Sequence, residues 1–301
     1  MASPSSQYAP PERSHTLAPL GIPLRVHEWG DPAAPPVVLV HGFLDHARGF
    51  DPVIERLARS YRVIAYDARG HGESGWADGY AWPLDVAELL EILRWAGPPC
   101  LVIGHSRGGA LATDAATHCP ELFRRLINID GFGPPPEGFS PPGFPIDKRT
   151  PAEKMGEWLD QRRQVHQTVG WRAYPTLDDV VARRQKQNPR LSKEWLRHFV
   201  ALGVRKTEGG FVWQADPLVT RGFGPFRAAW VARQWGHLRV PMLAVIGEEQ
   251  DTWGPLPESI IGPRLDTIAD VERASVPAAG HFVHMEQPDA FLDLAEAWVN
   301  K

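Results

Sequence analysis

A short apolar run at residues 101–103 stops at Gly104, and a helical segment rich in small residues begins a few positions later, at 110–119. Between them stands Gly104-His105-Ser106-Arg107-Gly108. A chain that turns this sharply from buried strand into helix brings the residues two before and two after the serine close together, so only small ones fit. Gly104 and Gly108 meet that need, and Gly109 and Ala110 let the helix lie close to the strand. Such a turn strains the serine backbone, presents its Oγ at the C-terminal edge of a sheet and aims helix N–H groups at the site. A chance glycine-rich turn carries the same letters, but not this strand-before, helix-after context.

The same alternation runs through much of the chain. Apolar runs at 37–40, 63–66, 101–103, 126–129, 242–246 and 271–276 read as buried strands, and the segments at 50–59, 84–95, 110–119 and 290–299 carry helical spacing. This β–α rhythm predicts an α/β fold, a mostly parallel sheet with helices on both faces. The rhythm stops after Asp130, where the Gly/Pro-dense text from 131 to 145 can continue neither a helix nor a central strand. From 152 to about 235 the pattern is mostly helical and rich in Trp. The expected organisation is therefore a flexible tail at 1–15, a core at 16–132 and 237–301, and a helical insertion at 133–236.

Composition narrows the function. The net charge of −4 offers no basic footprint for nucleic acid or an anionic membrane surface. No apolar run is long enough to span a bilayer, and the first 15 residues lack the basic start and apolar stretch of a secretory signal. A cytoplasmic enzyme with a small-molecule substrate is the expectation. The two cysteines, Cys100 and Cys119, make neither a disulfide framework nor a metal spacing and are expected to be reduced. There is no phosphate-binding Gly-rich motif and no dinucleotide fingerprint, so no cofactor is expected.

At neutral pH a serine hydroxyl is a poor nucleophile and needs a base oriented by an acid. His281 follows a glycine after the last strand-like run, at the sheet edge that also carries Ser106, and is the candidate base. His284 competes but sits nearer the closing helix, where packing or capping suits it better. A metal site on His281 and His284 lacks a third ligand and the HExxH spacing. For the acid, Asp251 gives the chain order Ser, Asp, His and is preferred over Asp130, which ends the preceding strand; Glu248 and Glu249 are weaker rivals. The oxyanion donors are expected to be the backbone N–H groups of Arg107 and Phe43. The Arg107 side chain is read as a brace between loops.

The segment His41-Gly42-Phe43, the turn Asp67-Ala68-Arg69-Gly70-His71-Gly72-Glu73-Ser74, the elbow at 104–109 and the segment at 280–286 together resemble the α/β-hydrolase fold superfamily, in particular its capped, cofactor-free serine hydrolases. The resemblance spans about residues 24–132 and 238–300. It implies an eight-stranded, mostly parallel sheet, a helical cap after the sixth strand and a Ser106–His281–Asp251 triad. The interval from Gly247 to Asp251 is one residue longer than the commonest family form, which keeps Asp130 in contention. Relatives with Asp at the nucleophile position are epoxide hydrolases and dehalogenases, and Ser106 argues against both.

The expected reaction is hydrolysis of carboxylic esters or lactones through an acyl-enzyme. Carbon–carbon or amide hydrolysis by the same triad, and a non-catalytic ligand receptor on the same scaffold, are the alternatives. Phe43, Leu44, His105, Trp253 and Phe282 are the expected substrate contacts, in a pocket favouring apolar or aromatic groups.

Overall fold

The computed structural model describes residues 8–133, 149–168, 171–220, 232–251 and 253–301. In chain order the strands are β1 (Arg13–Leu17), β2 (Leu24–Trp29), β3 (Pro36–Val40), β4 (Arg62–Tyr66), β5 (Cys100–His105), β6 (Phe123–Ile129), β7 (Val204–Thr207), β8 (Gly210–Trp213), β9 (Met242–Gly247) and β10 (Val271–Val276). Eight of them form one sheet in the order β1-β2-β4-β3-β5-β6-β9-β10. The first two pairings, β1 with β2 and β2 with β4, are antiparallel, and every later one is parallel. The fold is the α/β-hydrolase fold that the sequence motifs imply.

Strand β3 explains why both faces must be covered. Val37 and Leu39 point into one apolar cluster and Val38 and Val40 into another, the two-residue period of a pleated strand. The first face packs on helices α1 (Asp51–Leu57) and, at the chain's end, Pro288–Val299, through Val53, Phe291 and Trp298. The second packs on α2 (Trp82–Ala96) and α3 (Arg107–His118) through Leu89, Ile92, Leu111 and Ala115. Helix α2 stops where Gly97 adopts φ of 90°, a left-handed cap that side chains disfavour.

Between β6 and β9 the chain leaves the sheet. The described part of this insertion holds α4 (Pro151–Thr168), α5 (Leu177–Gln187), α6 (Lys193–Gly203) and the β7–β8 hairpin. Helix α5 opens with a capping box between Thr176 and Asp179, and α6 with the Ser192 hydroxyl on the Trp195 N–H. Val180, Leu196, Phe199 and Val200 pack with Phe282 and Met285, so the insertion shares a small core with the segment that follows His281. The chain then returns through α7 (Glu258–Leu265), α8 (Val283–Glu286) and α9 (Pro288–Val299). Among the described residues no helix is long and apolar enough to cross a membrane.

One expectation changes. The tail does not extend to residue 15, because Arg13–Leu17 pairs along its full length with Leu24–Trp29 as an edge strand. The insertion, mostly helical in its sequence pattern, also holds the β7–β8 hairpin, where Gly210 takes φ of 117°. The expected insertion residues 134–148 and 221–231, and residues 1–7 of the tail, lie outside the described residues.

The close passage of α3 against the sheet yields a stability prediction. A Cβ on Gly108 would sit 2.2 Å from the Val40 carbonyl oxygen, a backbone atom that cannot step aside. Gly108→Ala should lower unfolding stability by about 2–3 kcal/mol, read as a lower denaturant midpoint at unchanged slope. An unchanged midpoint would mean that this contact is looser than described.

Candidate active site

Ser106 links β5 to α3 with φ of 53° and ψ of −121°, a strained conformation for a residue with a side chain. Its N–H donates to the Ile129 carbonyl at 2.8 Å, which ties the turn to the end of β6. Only small neighbours allow this. A Cβ on Gly104 would lie 2.6 Å from the Gly108 oxygen, and one on Gly109 would lie 2.3 Å from Asn128 Oδ1. Asn128 is fully buried; its amide donates to Thr113 Oγ1 (2.9 Å) and the Gly131 carbonyl (3.1 Å), and its oxygen accepts the Gly131 N–H (2.9 Å). It pins α3 to the chain that carries Asp130. Its sequence signal was the lone polar residue inside the apolar run 126–129.

The carboxylate on His281 is that of Asp130, which corrects the preference for Asp251. His281 Nδ1 donates to Asp130 Oδ2 at 2.5 Å, and both side chains are buried. Asp251 Oδ2 instead accepts the backbone N–H of His281 at 3.0 Å, while its Oδ1 accepts from Trp253 N (2.7 Å) and Gly254 N (3.1 Å). The reason is sheet order. Strand β6 lies directly between β5 and β9, so the residue at its C-terminal end reaches the centre of the site, whereas Asp251 lies beyond the edge of β9 and turns back on its own loop. That loop shields the pair, because a Cβ on Gly254 would fall 2.4 Å from Asp130 Oδ2.

His281 is further fixed from behind. The Glu286 carboxylate accepts the Gly280 N–H at 2.9 Å, and Arg190 of the insertion donates to the same carboxylate at 2.6 Å. His105 Nε2 donates to the His281 carbonyl at 3.0 Å, with the two rings 4.8 Å apart between centroids. Among the described residues His281 Nε2 makes no hydrogen bond, so it is the ring nitrogen left to exchange a proton. Burial by itself would lower the His281 pKa, but the neighbouring Asp130 charge and hydrogen bond outweigh it and hold the pKa above the ordinary histidine value.

Opposite Ser106, the segment after β3 is held by His41, whose Nδ1 donates to the Gly42 carbonyl (2.7 Å) and whose Nε2 accepts the Ala68 N–H (3.0 Å). This pattern needs a neutral ring, and burial pushes the His41 pKa down to about 4. Gly42 is the close approach, since a Cβ there would lie 3.3 Å from Ser106 Cβ. Leu44 takes φ of 56°, and Phe43 and Leu44 rest half-buried against Tyr80, Leu218 and Val219. Arg107 is the first residue of α3, and its guanidinium binds Asp85 at 2.5 Å and lies over the Trp82 ring, the bracing position that the sequence suggested.

The expected substrate contacts divide. His105 is 1% exposed and engaged with the His281 carbonyl, and Phe282 is buried in the insertion core, so both serve packing rather than an open pocket. Trp253 is 48% exposed and its indole N–H donates to the Gln187 carbonyl at 2.9 Å, joining the loop after β9 to α5. Leu44 borders a cavity of about 200 Å³ against the insertion. The competitor His284 is buried against Phe50 and His105, and burial lowers its pKa to about 3.

A family profile described as the alpha/beta hydrolase family matches residues 37–294. A serine hydrolase-like protein of Danio rerio is 29% identical over 64% of this chain, an alignment that spans 58% of that relative's length. An esterase of Mycobacterium tuberculosis is 27% identical over 88% of this chain and 83% of its own. Among solved structures, the thioesterase domain from the curacin biosynthetic pathway superposes with a TM-score of 0.82 at 22% identity, covering 96% of this chain and 99% of that one, a likeness of fold.

The Asp130 contact predicts a magnetic-resonance signature. The Nδ1 proton of His281 should resonate far downfield and the ring should titrate above the ordinary histidine value of about 6.5. Asp130→Asn should abolish the downfield signal and lower the pKa, while Asp251→Asn should keep both. A downfield proton that disappears in Asp251→Asn alone would contradict the assignment.

Proposed function

Because the chain belongs to the alpha/beta hydrolase family, we propose that it is a serine hydrolase that cleaves carboxylic esters through an acyl-enzyme on Ser106. The observations that carry this reading are the buried His281–Asp130 pair and the strained serine that heads α3, both at the C-terminal ends of neighbouring strands of one sheet. Ser106 Oγ attacks the ester carbonyl while His281 Nε2 takes its proton. Asp130 keeps the proton on Nδ1 and stabilises the imidazolium that forms. The backbone N–H groups of Phe43 and Arg107 receive the oxyanion, and the alcohol departs with the proton from His281. Water then attacks the acyl-enzyme, passing a proton to His281, and the acid leaves as Ser106 is reprotonated. The esterase among the relatives supports an ester over an amide or carbon–carbon bond. The insertion between β6 and β9 acts as the cap over a small-molecule substrate, and Leu44 and Trp253 stand where it meets the sheet-end loops.

Hydrolysis of short para-nitrophenyl esters tests this. Ser106→Ala should lower kcat roughly 10³-fold or more, and retention of activity would overturn the proposal. Asp130→Asn should lower kcat by a similar order, about 10³–10⁴-fold, through loss of the correct tautomer; Asp251→Asn should cost much less.

The pH dependence has a definite sign. His281 must be neutral to accept the serine proton, so kcat/KM rises with pH as the imidazolium deprotonates. Since Asp130 raises that pKa, the rising limb should lie above the pH of an ordinary histidine, and in Asp130→Asn it should move down. A limb that stays in place in the variant would contradict the coupling.

A further inference from the structure

The cavity beside Leu44 carries a charge that the hydrolytic machinery does not use. Its wall includes Arg172, Arg183 and Arg184 together with the rings of Tyr174 and Trp213, and among the described residues no carboxylate lines it. Arg184 is neutralised: its Nη2 binds Asp45 Oδ1 at 2.6 Å, and its Nε is buried with no hydrogen-bond partner among the described residues. The Arg172 guanidinium lies over the Tyr174 ring at 5.3 Å. Among the described residues neither Arg172 nor Arg183 has an ion pair. The acids that open α5 cannot serve them, because Asp178 is paired with Arg197 and Asp179 closes the capping box with Thr176.

Solvated arginines are ordinary on a helix face, but here three converge on one concavity walled by aromatic rings. A guanidinium fork matches the paired oxygens of a carboxylate or phosphate, and the rings give an apolar arm a place to lie. The cavity also reaches the turn that faces Ser106: Leu44 of that turn lines it, and Gly42 of the same turn packs at Ser106.

We propose that this cavity is an anion subsite, taking a carboxylate or phosphate carried on the substrate at the far end of an apolar arm from the scissile bond. The inference rests on the ester-hydrolase reading for the role of Ser106, but not for the binding itself.

Three para-nitrophenyl esters of equal chain length test it: the hexanoate, the adipate monoester, which ends in a carboxylate, and the ω-phosphohexanoate. The two anionic esters should show kcat/KM roughly tenfold or more above the hexanoate, mostly through KM, and their ranking tells carboxylate from phosphate. In Arg172→Gln/Arg183→Gln the ratio of anionic to neutral ester should fall towards one. Equal or better turnover of the hexanoate by the unmodified protein overturns the subsite, as does a ratio that survives the double substitution.

Should none of the esters be cleaved, the hydrolase reading fails and binding decides the subsite. Calorimetry on Ser106→Ala should then give tighter binding of adipate monomethyl ester than of methyl hexanoate, a difference lost when both arginines are replaced. Equal affinities would overturn the subsite with Ser106 chemistry left out of the question.

Discussion

A carboxylate with almost no access to water, held against an imidazole, is the constraint around which this structure is organised. Burying Asp130 would cost several kcal/mol if the charge stood alone, and the bond to His281 offsets that cost only while the geometry is kept. Much of the surrounding polar structure serves to keep it. Asp251 holds the backbone of His281, Glu286 holds Gly280, His105 holds the His281 carbonyl, and the absent side chain of Gly254 makes room for the pair. Asp251 and Gly254 belong to the loop after β9, His105 ends β5 and Glu286 lies on α8, so three separate segments hold the histidine.

The insertion is coupled to the same centre through charge. Arg184 of α5 reaches the buried Asp45, three residues beyond Gly42, with its guanidinium lying over the rings of Phe199 and Trp213. Arg190 makes a second, more exposed link through Glu286, while the Arg184–Asp45 pair is the more buried of the two. A buried pair of this kind is strongly destabilising to break from one side. The position of the insertion and the shape of the turn facing Ser106 are therefore set together, and the cationic cavity lies in the seam between them.

Much of this was legible in the sequence because it rests on local rules. The runs at 37–40 and 242–246 read as buried strands, and the elbow at Ser106 needed glycines where glycines stand. The histidine of the buried pair was legible for the same reason, as a residue just past a strand end. The acid was not. Asp130 and Asp251 both follow strands, and which one meets His281 depends on the order of strands across the sheet, a long-range property that no local pattern encodes. Strand β1 escaped because its RSHTL text is half-exposed at an edge and carries no apolar run. His105 and Phe282 were expected to meet substrate since they adjoin catalytic positions, but the side chains beside a turn point away from it as often as toward it, and these two are consumed in packing.

The most direct test of the relay is the rate at which a fluorophosphonate modifies the protein, with the adduct located by mass spectrometry. The account predicts one adduct, on Ser106, forming at a rate that increases as His281 loses its proton and that falls steeply when Asp130 is replaced by Asn. An unmodified Ser106 under conditions where the protein still hydrolyses esters, or a labelling rate indifferent to Asp130, would contradict it.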